Sequence, residues 1–167
     1  MTGAATIQLA ADHAHVPAPI TALFADYAHA IDGGRIEDWP DFFTDPCLYK
    51  ITTRENVERR LPAAILLCDS RGMLLDRVAS VRRANIFEPH RYRHFVSAIR
   101  VTETGPGYIR LQSNYLIVRT MANGTMAVFS TGEYLDKVVP VGDSPRFAER
   151  VVVCDHSVIN NLIALPI

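Results

Sequence analysis

Tyr115-Leu116-Ile117-Val118-Arg119-Thr120-Met121-Ala122-Asn123-Gly124-Thr125-Met126-Ala127-Val128-Phe129-Ser130 reads as two β-strands folded back on one another. β-Branched and aromatic residues fill both arms, and Asn123-Gly124 supplies a two-residue turn of the kind that closes hairpins. Outward from this hairpin the pattern repeats. Four segments of the same character run at roughly 91–104, 108–121, 125–139 and 146–160. Their connections are Gly105-Pro106-Gly107, Asn123-Gly124 and Gly142-Asp143-Ser144-Pro145. The second half of the chain is therefore predicted to be an antiparallel meander. Gly132, inside the third segment, predicts a bulge or sharp bend.

The first half reads differently. Residues 1–17 are small and polar without a persistent period, which predicts a loose arm. From Pro19, Ile20, Leu23, Phe24, Tyr27 and Ile31 share one helical face, and Gly33-Gly34 ends the helix. A short second helix is expected over Ile36–Phe43, carrying Trp39, Phe42 and Phe43, followed by a strand over Cys47–Thr53. Residues 55–62 read as an exposed loop, and Ala63–Cys68 as a short strand or a helix start. Asp69-Ser70 would cap a helix reaching Asn85, with Leu74, Val78 and Val81 on one face. Helices first and a meander second give an α+β domain over 18–167, with N-terminal helices packed on one face of a strongly curved antiparallel sheet.

Bulk composition excludes several classes of function. The chain has 167 residues, 49% apolar and 21% charged, with a formal net charge of −1. That is one domain's length, with no basic excess for nucleic acid or anionic lipid. Fifteen arginines stand against two lysines, Lys50 and Lys137. Arginine's planar fork suits carboxylate pairing and desolvated interfaces, although a GC-rich genome produces the same bias. Three dispersed cysteines (Cys47, Cys68, Cys154) argue against a disulfide framework and for a reducing compartment. No apolar run is long enough to span a bilayer and no signal peptide is visible, so a soluble cytoplasmic protein is expected.

The densest chemistry lies in Glu88-Pro89-His90-Arg91-Tyr92-Arg93-His94-Phe95. On a strand rising ~3.3 Å per residue, His90 and His94 share a side but stand ~13 Å apart, too far to bind one metal ion. Arg91 and Arg93 would also repel a cation. Cys154-Asp155-His156 supplies a Cys-x-His, half of the ligand set of a Rieske iron–sulfur cluster, but no Cys-x-x-His exists to complete it. Nucleophile elbows, phosphate loops and dinucleotide fingerprints are absent from the sequence. Acid–base work by a pocket residue stays open, with Asp26, Tyr27, Asp32 and His94 as candidates. Trp39, Phe42 and Phe43 form an aromatic knot whose default role is core.

Several phrases are less generic. Tyr27-Ala28-His29-Ala30-Ile31-Asp32, Trp39-Pro40-Asp41-Phe42-Phe43-Thr44 and Cys47-Leu48-Tyr49 resemble the opening of the small (β) subunits of aromatic-ring-hydroxylating dioxygenases. So do Asp76-Arg77, Ala84–His94, Gly132–Lys137 and Glu149–Asp155, in the expected order over roughly residues 20–167. Among subfamilies these phrases look most like the small subunits of terephthalate dioxygenase and its aromatic-acid relatives. The resemblance implies a cystatin-like cone, shared with ketosteroid isomerase and scytalone dehydratase. It implies a partner large (α) subunit carrying the Rieske [2Fe-2S] cluster and a mononuclear Fe(II), with electrons from NADH through a reductase. It also implies three large plus three small subunits, with small-subunit trimerisation, and no cofactor or metal on this chain. Arg91, Tyr92, Arg93 and His94, and more weakly Trp39, are then the interface candidates, because Arg and aromatic residues are enriched at such contacts. The alternatives are a stand-alone isomerase or dehydratase, or a small-molecule-binding protein of the same fold. A pocket around an isolated buried carboxyl would favour the enzyme, and a cone filled by side chains would oppose it.

Overall fold

The computed structural model describes residues 15–83, 88–156, 163 and 165–167. Helix α1 (Ala18–Asp32) buries Ile20, Leu23, Phe24, Tyr27, Ala30 and Ile31, the face the periodicity predicts. It stops at Gly33, and Gly34 turns the chain at φ +76°, a conformation glycine adopts without strain. The expected second helix contracts to a single 3-10 turn, Trp39–Phe42, because Phe43 is already extended and opens β1 (Phe43–Thr53). The expected loop begins as a helix, α2 (Arg54–Glu58), whose first turn is capped by Thr53 Oγ1 accepting from Asn56 N–H at 3.2 Å. Strand β2 (Leu66–Cys68) settles the ambiguous apolar run as extended. Helix α3 (Arg71–Arg83) follows, with Ser70 Oγ accepting from Met73 N–H at 3.4 Å. Its expected extension to Asn85 lies outside the described residues, as do residues 1–14 of the arm and 157–160 of the fourth segment.

The meander is present as β3 (His90–Gly105), β4 (Tyr108–Met121), β5 (Met126–Val141) and β6 (Ser144–Cys154). The six strands lie in the order β2-β1-β6-β5-β4-β3. One pairing departs from the all-antiparallel expectation: β1 runs parallel to β6, with Tyr49 opposite Arg150 and Ile51 opposite Val152. A parallel neighbour needs a long crossover, and everything between β1 and β6 supplies it.

Curvature comes from breaks in register. Bulges fall at Ala98-Ile99 and Thr102 in β3, Phe129 in β5 and Ala148 in β6. Each adds local twist and bends its strand. Gly132 serves a different purpose from the predicted bulge, which lies three residues earlier. At Gly132 a Cβ would stand 2.0 Å from the Val153 carbonyl oxygen and 3.0 Å from the Tyr115 ring, so glycine permits a close backbone approach. The curled sheet closes around aromatic residues. Trp39, Phe43, Tyr49 and Phe147 are all fully enclosed, and their rings meet edge-on or tilted at 5.0–5.9 Å, while the equally enclosed Tyr134 stacks on Tyr115 at 4.7 Å.

Candidate functional site

The interior of the cone, where this architecture would place a reaction, is occupied by protein. Arg150 is completely buried, and its guanidinium donates two hydrogen bonds to Asp136, Nε to Oδ1 at 2.8 Å and Nη2 to Oδ2 at 3.0 Å. Four rings surround the cation: its central carbon lies 3.9 Å from the Phe147 centroid, 4.2 Å from Tyr27, 4.4 Å from Tyr134 and 4.9 Å from Phe24. Ring faces carry negative potential, so a desolvated cation is held by them as well as by its carboxylate. Burial pushes the Asp136 carboxyl up, and Arg150 opposes that shift. The same burial pushes the Tyr49 and Tyr134 phenols far above their ordinary range. Tyr49 closes the cone by donating to the Ile167 main-chain oxygen at 2.8 Å and accepting from Ile167 N–H at 3.0 Å. The carboxyl that an acid–base enzyme would leave poised is here bound bidentately. Nothing in the sequence reading singled out this pair.

The sequence candidates separate. Asp26 is exposed on α1, away from the interior. Tyr27 is core, accepting a hydrogen bond from Trp39 Nε1–H at 3.2 Å. Asp32 and His94 do come together: Asp32 Oδ1 lies 2.6 Å from His94 Nδ1, and Oδ2 accepts from the His94 backbone N–H at 3.0 Å. Both side chains are enclosed. A carboxylate on the last residue of a helix opposes the helix dipole, and these two donors, with Arg93 3.9 Å away, offset that. The dyad joins the end of α1 to β3, and His94 Nε2 is buried without a partner among the described residues.

Of the five interface candidates, Arg91 and Arg93 alone present their side chains outward; the Arg93 side chain is 64% exposed. Tyr92 points inward and stacks on Phe129 at 4.9 Å. Trp39 is wholly enclosed in the core. Beside the two arginines the same outer face carries Phe95, Met126 and Val128, exposed by 53%, 70% and 63%. Apolar groups next to arginine are the composition of a contact surface.

The residues do not fit a Rieske cluster. Cys154 Sγ accepts from the Tyr115 hydroxyl at 3.3 Å inside the sheet, and burial raises the Cys154 thiol. Asp155 turns to Arg54, and His156 Nε2 lies 3.2 Å from Ser130 Oγ. The Cys47 thiol is likewise pushed up to about 11 by burial. Among the described residues, no three His, Cys, Asp or Glu side chains gather to hold a metal ion. No helix among them is long and apolar enough to cross a membrane.

A family model described as the ring hydroxylating beta subunit matches residues 27–161. The chain belongs to that family. This β subunit is 40% identical over 141 residues to the anthranilate 1,2-dioxygenase small subunit of Burkholderia cepacia, covering 84% of this chain and 88% of that one. It is 38% identical over 148 residues to the β 1 subunit of the terephthalate 1,2-dioxygenase terminal oxygenase component of Comamonas, covering 89% and 96%. A crystal structure assigned as the β subunit of an aromatic-ring-hydroxylating dioxygenase from Novosphingobium aromaticivorans superposes with a TM-score of 0.81 at 35% identity, covering 89% and 95%. A structure assigned as a scytalone dehydratase from the same organism gives 0.66 at 16% identity over 88% and 89%, a likeness of fold alone. The β subunit is thus part of a dioxygenase complex, built on a cone that other proteins use differently.

Proposed function

We propose that this β subunit is the non-catalytic small subunit of a multicomponent dioxygenase acting on an aromatic carboxylic acid such as terephthalate. The observation that carries the reading is the filled cone: the Asp136–Arg150 pair inside its four rings occupies the place a substrate would need. Relatives named for anthranilate and terephthalate support the substrate class. On this reading the large subunit holds the Rieske cluster and the mononuclear iron, and NADH supplies electrons through a reductase. Three large and three small subunits make the cytoplasmic oxygenase. Arg91 and Arg93 touch the large subunit directly. Tyr92 and His94, on the inner face of the same strand, hold that strand in place.

The test is to express the chain alone and with a co-encoded large subunit, then assay iron, acid-labile sulfide and ring dihydroxylation. Iron, sulfide and turnover should appear only with the large subunit. Turnover of an aromatic acid by the lone chain defeats the reading. Replacing Arg91 and Arg93 together by alanine should weaken assembly most at low salt, where charge contributes most. Unchanged assembly would remove these residues from the interface and leave the family assignment standing.

A further inference from the structure

The described residues between Ile163 and Ile167 enter the aromatic core without joining a helix or the sheet. Pro166 and Ile167 are buried, Ile163 belongs to the core cluster, and Leu165 packs against it. Side chains make the hydrogen bonds that hold this segment. Tyr49 Oη donates to the Ile167 main-chain oxygen at 2.8 Å and accepts from Ile167 N–H at 3.0 Å. Tyr27 Oη donates to the same oxygen at 3.5 Å, and Trp39 Nε1–H donates to Tyr27 at 3.2 Å. Arg77 grips the other end of the segment through the Ile163 main-chain oxygen.

Tyr27, Trp39 and Tyr49 are almost wholly enclosed, and their polar atoms converge on one residue of the protein's own chain. Burial pushes both phenols above their ordinary value, so they stay protonated and remain donors through the neutral range. Having accepted from the indole, the Tyr27 oxygen turns its own O–H toward Ile167. The rings of Trp39 and Phe43 pack against Tyr49 at 5.0 and 5.9 Å, which makes the surroundings apolar. Two O–H donors and an N–H acceptor inside an apolar shell are the composition of a small-ligand site.

We propose that this constellation is a binding site for a small acylated α-amino acid with a branched apolar side chain, and that Ile167 occupies it as an internal ligand. The ligand chemistry follows from the contacts. A carbonyl or carboxylate oxygen must reach the two phenols, and the adjacent carbon must carry an N–H for the Tyr49 oxygen. A compact apolar body replaces the isoleucine side chain. Because Ile167 is tethered, an external ligand competes with an effective concentration on the order of millimolar. Its apparent affinity falls in proportion to how rarely the site is open. Asp136 stays engaged by Arg150 at 2.8 Å, so the site binds its ligand without turning it over.

Trp39 is the sole tryptophan of the chain and lies one hydrogen bond from the site, so its fluorescence reports occupancy. The full-length chain is titrated with N-acetyl-L-isoleucine. Ile167→Gly removes the apolar anchor of the internal ligand but keeps the length of the segment, and should tighten binding about tenfold over wild type. Adding Tyr49→Phe should cancel that gain. The deaminated analogue 3-methylpentanoic acid, which lacks the N–H, should bind about fivefold more weakly. If Ile167→Gly folds only when the probe is present, its recovered melting transition supports the site, and Ile167→Ala repeats the titration. Equal affinity of wild type and the Ile167 variants overturns the proposal, because Ile167 would then not stand in the ligand's place. So does a gain that survives Tyr49→Phe, which would reveal an apolar cavity left by the missing side chain rather than a hydrogen-bonding site.

Discussion

Breaking the Asp136–Arg150 pair from either side should have unequal, pH-dependent consequences. Asp136→Ala strands a guanidinium that cannot lose its proton at any accessible pH. An unpaired buried charge costs about 3–5 kcal/mol; with four rings still around the cation, the lower end, about 3 kcal/mol, is expected at every pH. Arg150→Met strands a carboxylate instead, and a carboxylate can escape by protonation. Burial already raises Asp136 above its ordinary 3.8, and removing Arg150 takes away the opposing influence. Neutralising it costs about 1.4 kcal/mol per pH unit above the unfolded-state value. The penalty is therefore about 4 kcal/mol at pH 7 and under about 2 kcal/mol at pH 5. The sign follows from the raised folded-state value: stability is full below 3.8 and falls as pH rises. Urea unfolding of wild type, both single variants and the Asp136→Leu, Arg150→Met double variant at pH 5 and 7, at one protein concentration, measures all of this. The double variant should cost less than either single change at pH 7, since both charges leave together. An Arg150→Met penalty equal at the two pH values, or a double variant as unstable as the sum of the singles, refutes the reasoning.

Two further outcomes follow from local geometry. Gly132→Ala drives a methyl to within 2.0 Å of a backbone oxygen that cannot rotate away, so the unfolding free energy should drop by about 3 kcal/mol; a loss below 1 kcal/mol would show that the strands separate freely there. Glu37 is gripped by Arg82 at 2.6 and 2.8 Å, which lowers its carboxyl to about 2. Its NMR titration should return toward 4.5 in Arg82→Ala. The lowered value means that its contribution to stability exists above 4.5 and disappears as pH falls through about 2, and solvent screening keeps it below about 1 kcal/mol.

The meander was legible because period-2 alternation and Asn123-Gly124 are local signals, and α1 because its apolar face recurs over four turns. The parallel β1–β6 pairing was not, since nothing near Tyr49 announces Arg150 as its neighbour a hundred residues on. Helix α2 has five residues, too few to establish a period. The Asp136–Arg150 pair was half visible. Asp136 falls on the same parity as Tyr134 and Val138, which both face inward, so strict alternation already placed a carboxylate in the core. Arg150 was hidden by the Ala148 bulge, which resets the alternation and lets Phe147 and Arg150, three residues apart, face the same way. Trp39 was rightly read as aromatic core by default, and its interface role was a weaker expectation that its enclosure gives no means to fulfil in the isolated subunit.

The Asp32–His94 dyad shows how a group that looks catalytic can instead serve to fix an edge strand. A general base needs an accessible nitrogen, and His94 Nε2 has no exposed surface. A carboxylate that merely oriented an imidazole would need one hydrogen bond, whereas Asp32 spends its second oxygen on the backbone N–H of β3. That bond falls on the outermost strand, at the residue following Arg93, and ties it to the end of a helix that is itself anchored in the aromatic core. An edge strand left unsupported would let its side chains drift. Here one carboxylate fixes the strand and stands 3.9 Å from the Arg93 guanidinium. Asp32→Asn should therefore leave the fold in place while loosening the arginines. The chemistry of the dyad is spent on position, holding β3 and its outward arginines at a set angle to α1.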